Sequence, residues 1–257
     1  PPRSTLFPYT TLFRSAIVHQ TNRITLDEYQ KVNCDLPFKI AKIAKNSGVK
    51  QFVFISTSKV YGDFSKGQKA WTELSACNPK DGYGISKLNA ENKLLALGSD
   101  SFCVSVIRTP LVYGPGVKAN MLQLIKLIDN FPILPFGVDS NCRSLSFVLN
   151  IVAFIDKVIE LERGGIFIAK DTDSPSIKEL SKFISGSLGK SRFVFYPGKL
   201  FLTLINIFLP GYYERLYGSA ILDNSETLKI IDFKPPFSTE EGVKITVEYY
   251  KNQRNDR

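Results

Sequence analysis

Asp81-Gly82-Tyr83-Gly84-Ile85-Ser86-Lys87 lies downstream of an apolar run, Gln51-Phe52-Val53-Phe54-Ile55, that ends in three hydroxyls, Ser56-Thr57-Ser58. The run is short, β-branched, aromatic and bounded by polar residues, as a buried parallel strand is. Ligands of open α/β sheets bind at the carboxyl ends of strands, so these hydroxyls stand where a ligand is expected. A helix opening at about Tyr83 places Tyr83 and Lys87 one turn apart on one face. A free phenol, with a pKa near ~10, is a poor base at neutral pH, but a neighbouring ammonium favours the phenolate. Tyr83 is thereby a candidate to take a proton from a substrate hydroxyl. Alone the pair is a weak signal, because a half-buried tyrosine beside a snorkelling lysine is common in helices. The strand-end hydroxyls give it chemical meaning.

The chain has 257 residues, room for one large or two modest domains. Its net charge of +9 suits an anionic ligand, but the lysines are spread without a dense basic block. That pattern reads as a solvated surface and argues against nucleic acid. Cys34, Cys77, Cys103 and Cys142 are far apart, and His19 is the single histidine. The expectation is no metal site, reduced thiols and a cytoplasmic location.

Residues 1–15 do not belong with the rest: Thr5 to Ser15 reads as the in-frame translation of a short sequencing adapter, repeats Thr-Leu-Phe, and lacks the apolar core of a signal peptide. From Ala16 strands and helices alternate, which predicts a parallel sheet. Strands are expected at Ala16–His19, Gln51–Ile55, Phe102–Ile107 and Gly165–Ala169. Between them, a helix from Leu26 to Asn46 is interrupted at Pro37 and stopped at Gly48, and another runs from Tyr83 to about Leu97. Further helices are expected at Asn120–Ile128, Phe147–Leu161 and Thr239–Tyr250. The apolar run Leu200–Leu209 is too short to span a bilayer and reads as a helix packed on its own domain.

Taken together, Phe54-Ile55-Ser56-Thr57-Ser58-Lys59-Val60-Tyr61-Gly62, Tyr83-Gly84-Ile85-Ser86-Lys87, Ile107 to Gly116, Arg143-Ser144-Leu145, Leu222 to Ser225 and Phe233 to Ser238 resemble the extended short-chain dehydrogenase/reductases, the NAD-dependent epimerase/dehydratase group. The resemblance implies an α/β fold: a Rossmann-type doubly wound parallel sheet, incomplete because the first strands are missing, with a smaller α/β substrate-binding region at the C-terminus. Residues 16–113 would be the partial NAD(P)-binding part and residues 114–257 the nucleotide-sugar-binding part. Thr57, Tyr83 and Lys87 would be catalytic: Thr57 on the sugar hydroxyl or ketone, Tyr83 as acid/base, Lys87 on the nicotinamide ribose and lowering the tyrosine pKa. Thr21, Ser56 and Thr109, with Tyr83 and Lys87, would line the site for NAD or NADP. Asn120 and Arg143, with Thr57, would hold a UDP-sugar at its diphosphate and sugar, and Phe136-Gly137 would cradle the base. Within the family, Gly116 to Asn120 and the Arg143 run look most like bacterial UDP-sugar 4-epimerases and 4-ketoreductases of surface-polysaccharide synthesis. Assembly is left open, a homodimer among the options.

Three departures qualify the match. Leu111 stands where galactose epimerases carry asparagine, and Val148-Leu149-Asn150 replaces Val-Asp-Asn. The third departure is that no Gly-x-x-Gly-x-x-Gly follows a strand anywhere, although that turn holds the cofactor pyrophosphate in the family. The expectation is a 5′-truncated gene whose product binds NAD poorly. Two further readings share the fold: a non-catalytic dinucleotide-binding or scaffold protein, which needs no acid/base pair, and a dehydrogenase/isomerase of steroid-like substrates, which gives no reason for Arg143 and Asn120.

Overall fold

The structure is a computed structural model that describes residues 16–17, 24–65 and 69–255. Of the strand expected at Ala16–His19, Val18 and His19 lie outside the described residues, as does Thr21. Ala16 and Ile17 are not in a strand; the Ile17 N–H donates to Asn33 Oδ1 at 2.8 Å and its carbonyl accepts from Asn33 Nδ2 at 2.9 Å.

Thr25 opens α1 (Leu26–Gln30) with a capping box shared with Glu28. The helix then passes through a π turn (Lys31–Asp35) into α2 (Leu36–Asn46). Pro37 is the second residue of α2, and the irregular π turn lies just before it, where the proline disturbs the helical ladder. The left-handed Gly48 (φ +77) ends the helix, and the Val49 N–H returns to the Ala44 carbonyl at 3.0 Å.

The chain continues through β1 (Gln51–Thr57), a 3₁₀ turn (Ser58–Val60), α3 (Gly82–Leu95), β2 (Cys103–Thr109) and β3 (Leu111–Tyr113). It follows with α4 (Ala119–Asn130), β4 (Ile133–Leu134), β5 (Leu145–Phe147), α5 (Val148–Glu160), β6 (Gly165–Ile168) and α6 (Ile177–Leu188). The last elements are β7 (Phe193–Val194), α7 (Lys199–Phe208), α8 (Pro210–Tyr217), α9 (Ser225–Ile231) and α10 (Thr239–Asn255).

Every strand pair is parallel. β1 and β2 pair along their whole length, from Gln51 opposite Cys103 to Thr57 opposite Thr109, and β6 adds on the far side of β2. Alternation along β2 sends Val104 and Val106 into a core with Phe54, Ala41 and Leu94, while Ile107 joins Phe154, Val158 and Ile231 on the opposite face. Helices therefore cover both faces of this sheet, as a parallel sheet with no wettable side requires. Since β6 and α5 follow residue 113 in sequence, the chain re-enters the first sheet after leaving it.

Two short parallel pairs, β3 with β5 and β4 with β7, form a second layer. Its core, which includes Tyr113, Ile125, Phe136, Phe147, Ile184 and Val247, is supplied mainly by α4, α6 and α10. Gly242 lets α10 lie against this layer, because a Cβ there would stand 2.6 Å from the Tyr113 hydroxyl and 2.8 Å from the Phe147 ring.

Under the carboxyl ends of β1 and β2 runs a buried polar chain. Ser56 Oγ donates to Glu91 Oε1, Arg108 donates to both Glu91 oxygens with an ion-pair distance of 2.6 Å, and Arg108 Nη1 donates to the Tyr61 hydroxyl at 2.8 Å. The Arg108 and Glu91 side chains are 4% and 1% exposed, so neither charge has water to fall back on. Breaking such a pair from one side leaves a buried uncompensated charge. Glu91→Ala is expected to destabilise the chain by about 3–5 kcal/mol in urea denaturation.

Candidate active site

Asp81 fixes where α3 begins: its side chain accepts from the Gly84 N–H at 2.7 Å and so caps the helix. Tyr83 then falls in the first turn, half-buried, its ring 6.4 Å from that of Tyr29. Its phenol lies near the side chain of Thr57, the last residue of β1, close enough for that hydroxyl to favour the phenolate. Thr57 is 7% exposed and also accepts from the Lys59 N–H at 3.3 Å, which turns the chain away from the sheet edge. The strand-end hydroxyl and the helix phenol predicted from sequence are thus brought together.

Lys87 departs from the expectation. Its ammonium does not lie against the phenol; Nζ donates to the Ile55 carbonyl at 2.7 Å and sits 4.2 Å above the Phe54 ring. Burial is the main influence on both groups. It raises the Tyr83 pKa above its usual value, outweighing the Thr57 hydroxyl, with Asp81 and Tyr29 adding smaller upward pushes. Burial lowers Lys87 to about 8, opposed by the Glu91 charge. The expected lowering of Tyr83 by Lys87 is not seen: the surroundings of the phenol push its pKa up on balance, and Lys87 is not among the influences on it. Lys87 has three N–H bonds and one protein acceptor, so its buried ammonium retains donor capacity for further hydroxyls.

Ser56 and Thr109 were expected at the cofactor, yet both hydroxyls are spent inside the protein. Ser56 donates to Glu91, and Thr109 Oγ1 donates to the Ser56 carbonyl at 3.1 Å, tying the two strand ends together.

Two residues beyond Thr109 the chain enters a second region. Leu111 and its partner across the ladder, Leu145, form part of the wall of a cleft of about 230 Å³ that is open to solvent. Asn120 and Arg143 also line this cleft. Asn120 is the second residue of α4, after Ala119, so it is not the helix cap; Lys118 holds that position. Arg143 Nε donates to the Gly218 carbonyl at 3.0 Å and Nη2 to the Glu214 carbonyl at 2.5 Å. No carboxylate pairs with it among the described residues, and burial pulls its pKa down. A half-buried guanidinium held by backbone carbonyls and lacking a counter-ion is suited to an anion.

Phe136 does not reach the cleft. It is 1% exposed and packed in the second core, and Gly137 approaches the 195–196 backbone so closely that a Cβ would stand 2.5 Å from Phe195 C and Tyr196 N. Their expected role at a nucleobase is corrected to a packing role.

Sequence reasoning missed two buried networks. Glu91 continues the four-residue spacing of Tyr83 and Lys87 along α3, a signal available in the sequence. Asp171 had none. It is fully buried, accepts from the Phe147 N–H at 2.9 Å, the Asn150 amide at 2.8 Å and the Tyr113 hydroxyl at 2.7 Å, and so places a carboxylate beside Asn150 although residue 149 is leucine.

The Lys87 environment makes a pH-dependent prediction. Its pKa falls from 10.5 to about 8 on folding, so between those values the unfolded chain binds more protons and stability rises with pH. Below pH 8 the charge is buried at a cost of about 3 kcal/mol. Lys87→Met is expected to be the more stable chain at pH 7, with an advantage that shrinks between pH 8 and 10.5 in urea denaturation.

A model of the NAD dependent epimerase/dehydratase family matches residues 14–168. A UDP-glucose 4-epimerase of Vibrio cholerae is 33% identical over 250 residues, covering 94% of this chain and 76% of that protein. An N-acetyl-α-D-glucosaminyl-diphospho-ditrans,octacis-undecaprenol 4-epimerase of Escherichia coli O157:H7 is 25% identical over 187 residues, 71% of this chain and 56% of that one. In architecture the chain is similar to a UDP-glucuronic acid 4-epimerase from Bacillus cereus, solved with NAD, at a TM-score of 0.71 and 19% identity, covering 93% of this chain and 71% of that one. The parallel sheet, the Thr57–Tyr83 pair at its carboxyl edge and these matches agree, and the chain belongs to the NAD-dependent epimerase/dehydratase family.

Proposed function

We propose that the protein acts at the C4 hydroxyl or ketone of a nucleotide sugar, as a 4-epimerase or 4-ketoreductase serving cytoplasmic synthesis of surface-polysaccharide sugars. The observation that carries this reading is continuity. β2 ends at Thr109, paired with Thr57, and after Pro110 the chain enters β3, whose Leu111 stands on the wall of the cleft that holds Arg143. The candidate proton-transfer pair and the arginine are thus tied to two consecutive strands.

In this reading Thr57 holds the sugar oxygen, Tyr83 delivers a proton to it or removes one, and Arg143 and Asn120 hold the diphosphate. The neutral phenol suits protonation of a ketone oxygen; the reverse step requires a positive charge nearer to Tyr83 than Lys87 lies here. Lys87 fits the ribose of NAD or NADP, since its buried ammonium keeps free donors beside the sheet edge. What such a cofactor supplies when bound is hydride exchange with the sugar carbon. For the cofactor pyrophosphate this sequence offers no glycine-rich turn.

A second reading keeps the diphosphate and replaces the nucleoside with a lipid, as in the named substrate of the Escherichia coli relative. The apolar walls of the cleft, with Met121, Leu124, Ile177 and Leu180, favour it.

Calorimetric titration of the 257-residue chain with UDP tests the first reading. Binding is expected, and Arg143→Leu should weaken it about 10- to 100-fold, the scale of a charge-assisted hydrogen bond. Failure to bind UDP, with binding of a polyprenyl diphosphate sugar, selects the second reading. For either substrate Tyr83→Phe should cut nicotinamide-dependent turnover by roughly 10²-fold or more, and unchanged turnover sinks the proposed chemistry.

A further inference from the structure

The sequence suggests that Leu200–Leu209 packs on its own domain, and in the structure Leu202 does meet the second core while most of the helix stays exposed. No residue of α7 is buried, although seven of its ten residues are leucine, isoleucine or phenylalanine; Leu200 is 75% exposed, Ile207 64% and Phe208 74%. The exposure extends beyond the helix. On β4 and β7, Ile133 and Phe193 face each other across the ladder, 60% and 67% exposed, and the Phe193 and Phe195 rings stack at 6.3 Å. Tyr196 follows, and the left-handed Gly198 turns the chain into α7. Soluble monomers rarely leave so continuous an apolar and aromatic surface uncovered.

We propose that this face, formed by β4, β7 and α7, docks on the surface of an anionic lipid bilayer. Charge selects the occupant. From residue 190 to residue 215 the basic residues are Lys190, Arg192, Lys199 and Arg215, against the single acid Glu214. Lys190 is engaged by Asp129, but Lys199 and Arg215 are exposed and form no ion pair among the described residues. An apolar helix with aromatic neighbours and basic flanks is the pattern of an element lying in the membrane interface. Spanning is excluded for α7, since ten residues extend only about 15 Å against a hydrocarbon core of about 30 Å.

The face is also joined to the cleft. α8, which follows α7, contributes Tyr212, Arg215 and Leu216 to the cleft wall, and its last-turn carbonyls hold the Arg143 guanidinium. α7 is thus linked through α8 to the cleft that holds Arg143. The docking claim concerns binding only and does not rest on the catalytic reading.

Flotation with vesicles tests it. The 257-residue chain should float with 30% phosphatidylglycerol in phosphatidylcholine, bind pure phosphatidylcholine several-fold less, and lose most of that excess in 0.5 M NaCl. Phe208→Glu and Leu204→Glu, both at exposed positions, should reduce flotation at least tenfold while leaving the thermal midpoint and UDP affinity unchanged. Absence of wild-type flotation, or unchanged flotation of folded variants, overturns the proposal. So does a wild-type dimer in light scattering that Phe208→Glu converts to monomer without vesicle binding by either form, because a second copy then covers the face.

Discussion

The buried ion pair between Glu91 and Arg108 governs the geometry of the site. It joins α3, which carries Tyr83 and Lys87, to β2, the central strand of the main sheet. Ser56 and Tyr61 complete its hydrogen bonds from the end of β1 and the turn beyond it. A buried pair of charges is poor evidence of net stability, because desolvation consumes much of the attraction. Its consequence is positional: α3 cannot slide or rotate along the sheet without stranding a charge, so the Tyr83 phenol is held at the Thr57 hydroxyl.

That arrangement separates two roles often treated as one. Tyr83 and Lys87 share a helix face, but a lysine side chain is long enough to choose among several acceptors. Here it takes the Ile55 carbonyl and the Phe54 ring. The result is a desolvated ammonium and a neutral phenol, with burial dominating both. Local packing raises the Tyr83 pKa, and favouring its phenolate demands additional positive charge at the site.

The second layer contributes recognition. Arg143 reaches the cleft from the turn before β5, and the carbonyls at the end of α8 orient its guanidinium. Those carbonyls carry the negative end of the helix dipole, which steadies a cation at low cost. A carboxylate in the same place would have neutralised the arginine and spoiled it for an anionic ligand. The helix next to α8 in sequence, α7, exposes an apolar surface, so the proposed anion site and the proposed lipid-docking face share one structural support.

Much of this was legible in the residues. The β-branched run Gln51–Thr57, the Asp81 cap and the Tyr83–Lys87 spacing are local features, set by strand propensity, capping and helical period, and the parallel fold and the acid/base candidate followed from them. The spacing that marked Tyr83 and Lys87 also pointed to Glu91, but only the fold supplied Arg108 as its partner. Phe136 looked like a ligand contact until tertiary packing buried it, and Leu200–Leu209, read as a packed helix, meets the core through Leu202 but leaves most of its apolar residues exposed. The return of β6 to β2, the pairing of Asp171 with Asn150 and the direction of the Lys87 ammonium were likewise settled by tertiary structure. The physical reason is common to all of them. Period and capping act within a turn or two of chain, whereas burial, charge pairing and desolvation depend on which distant segments meet.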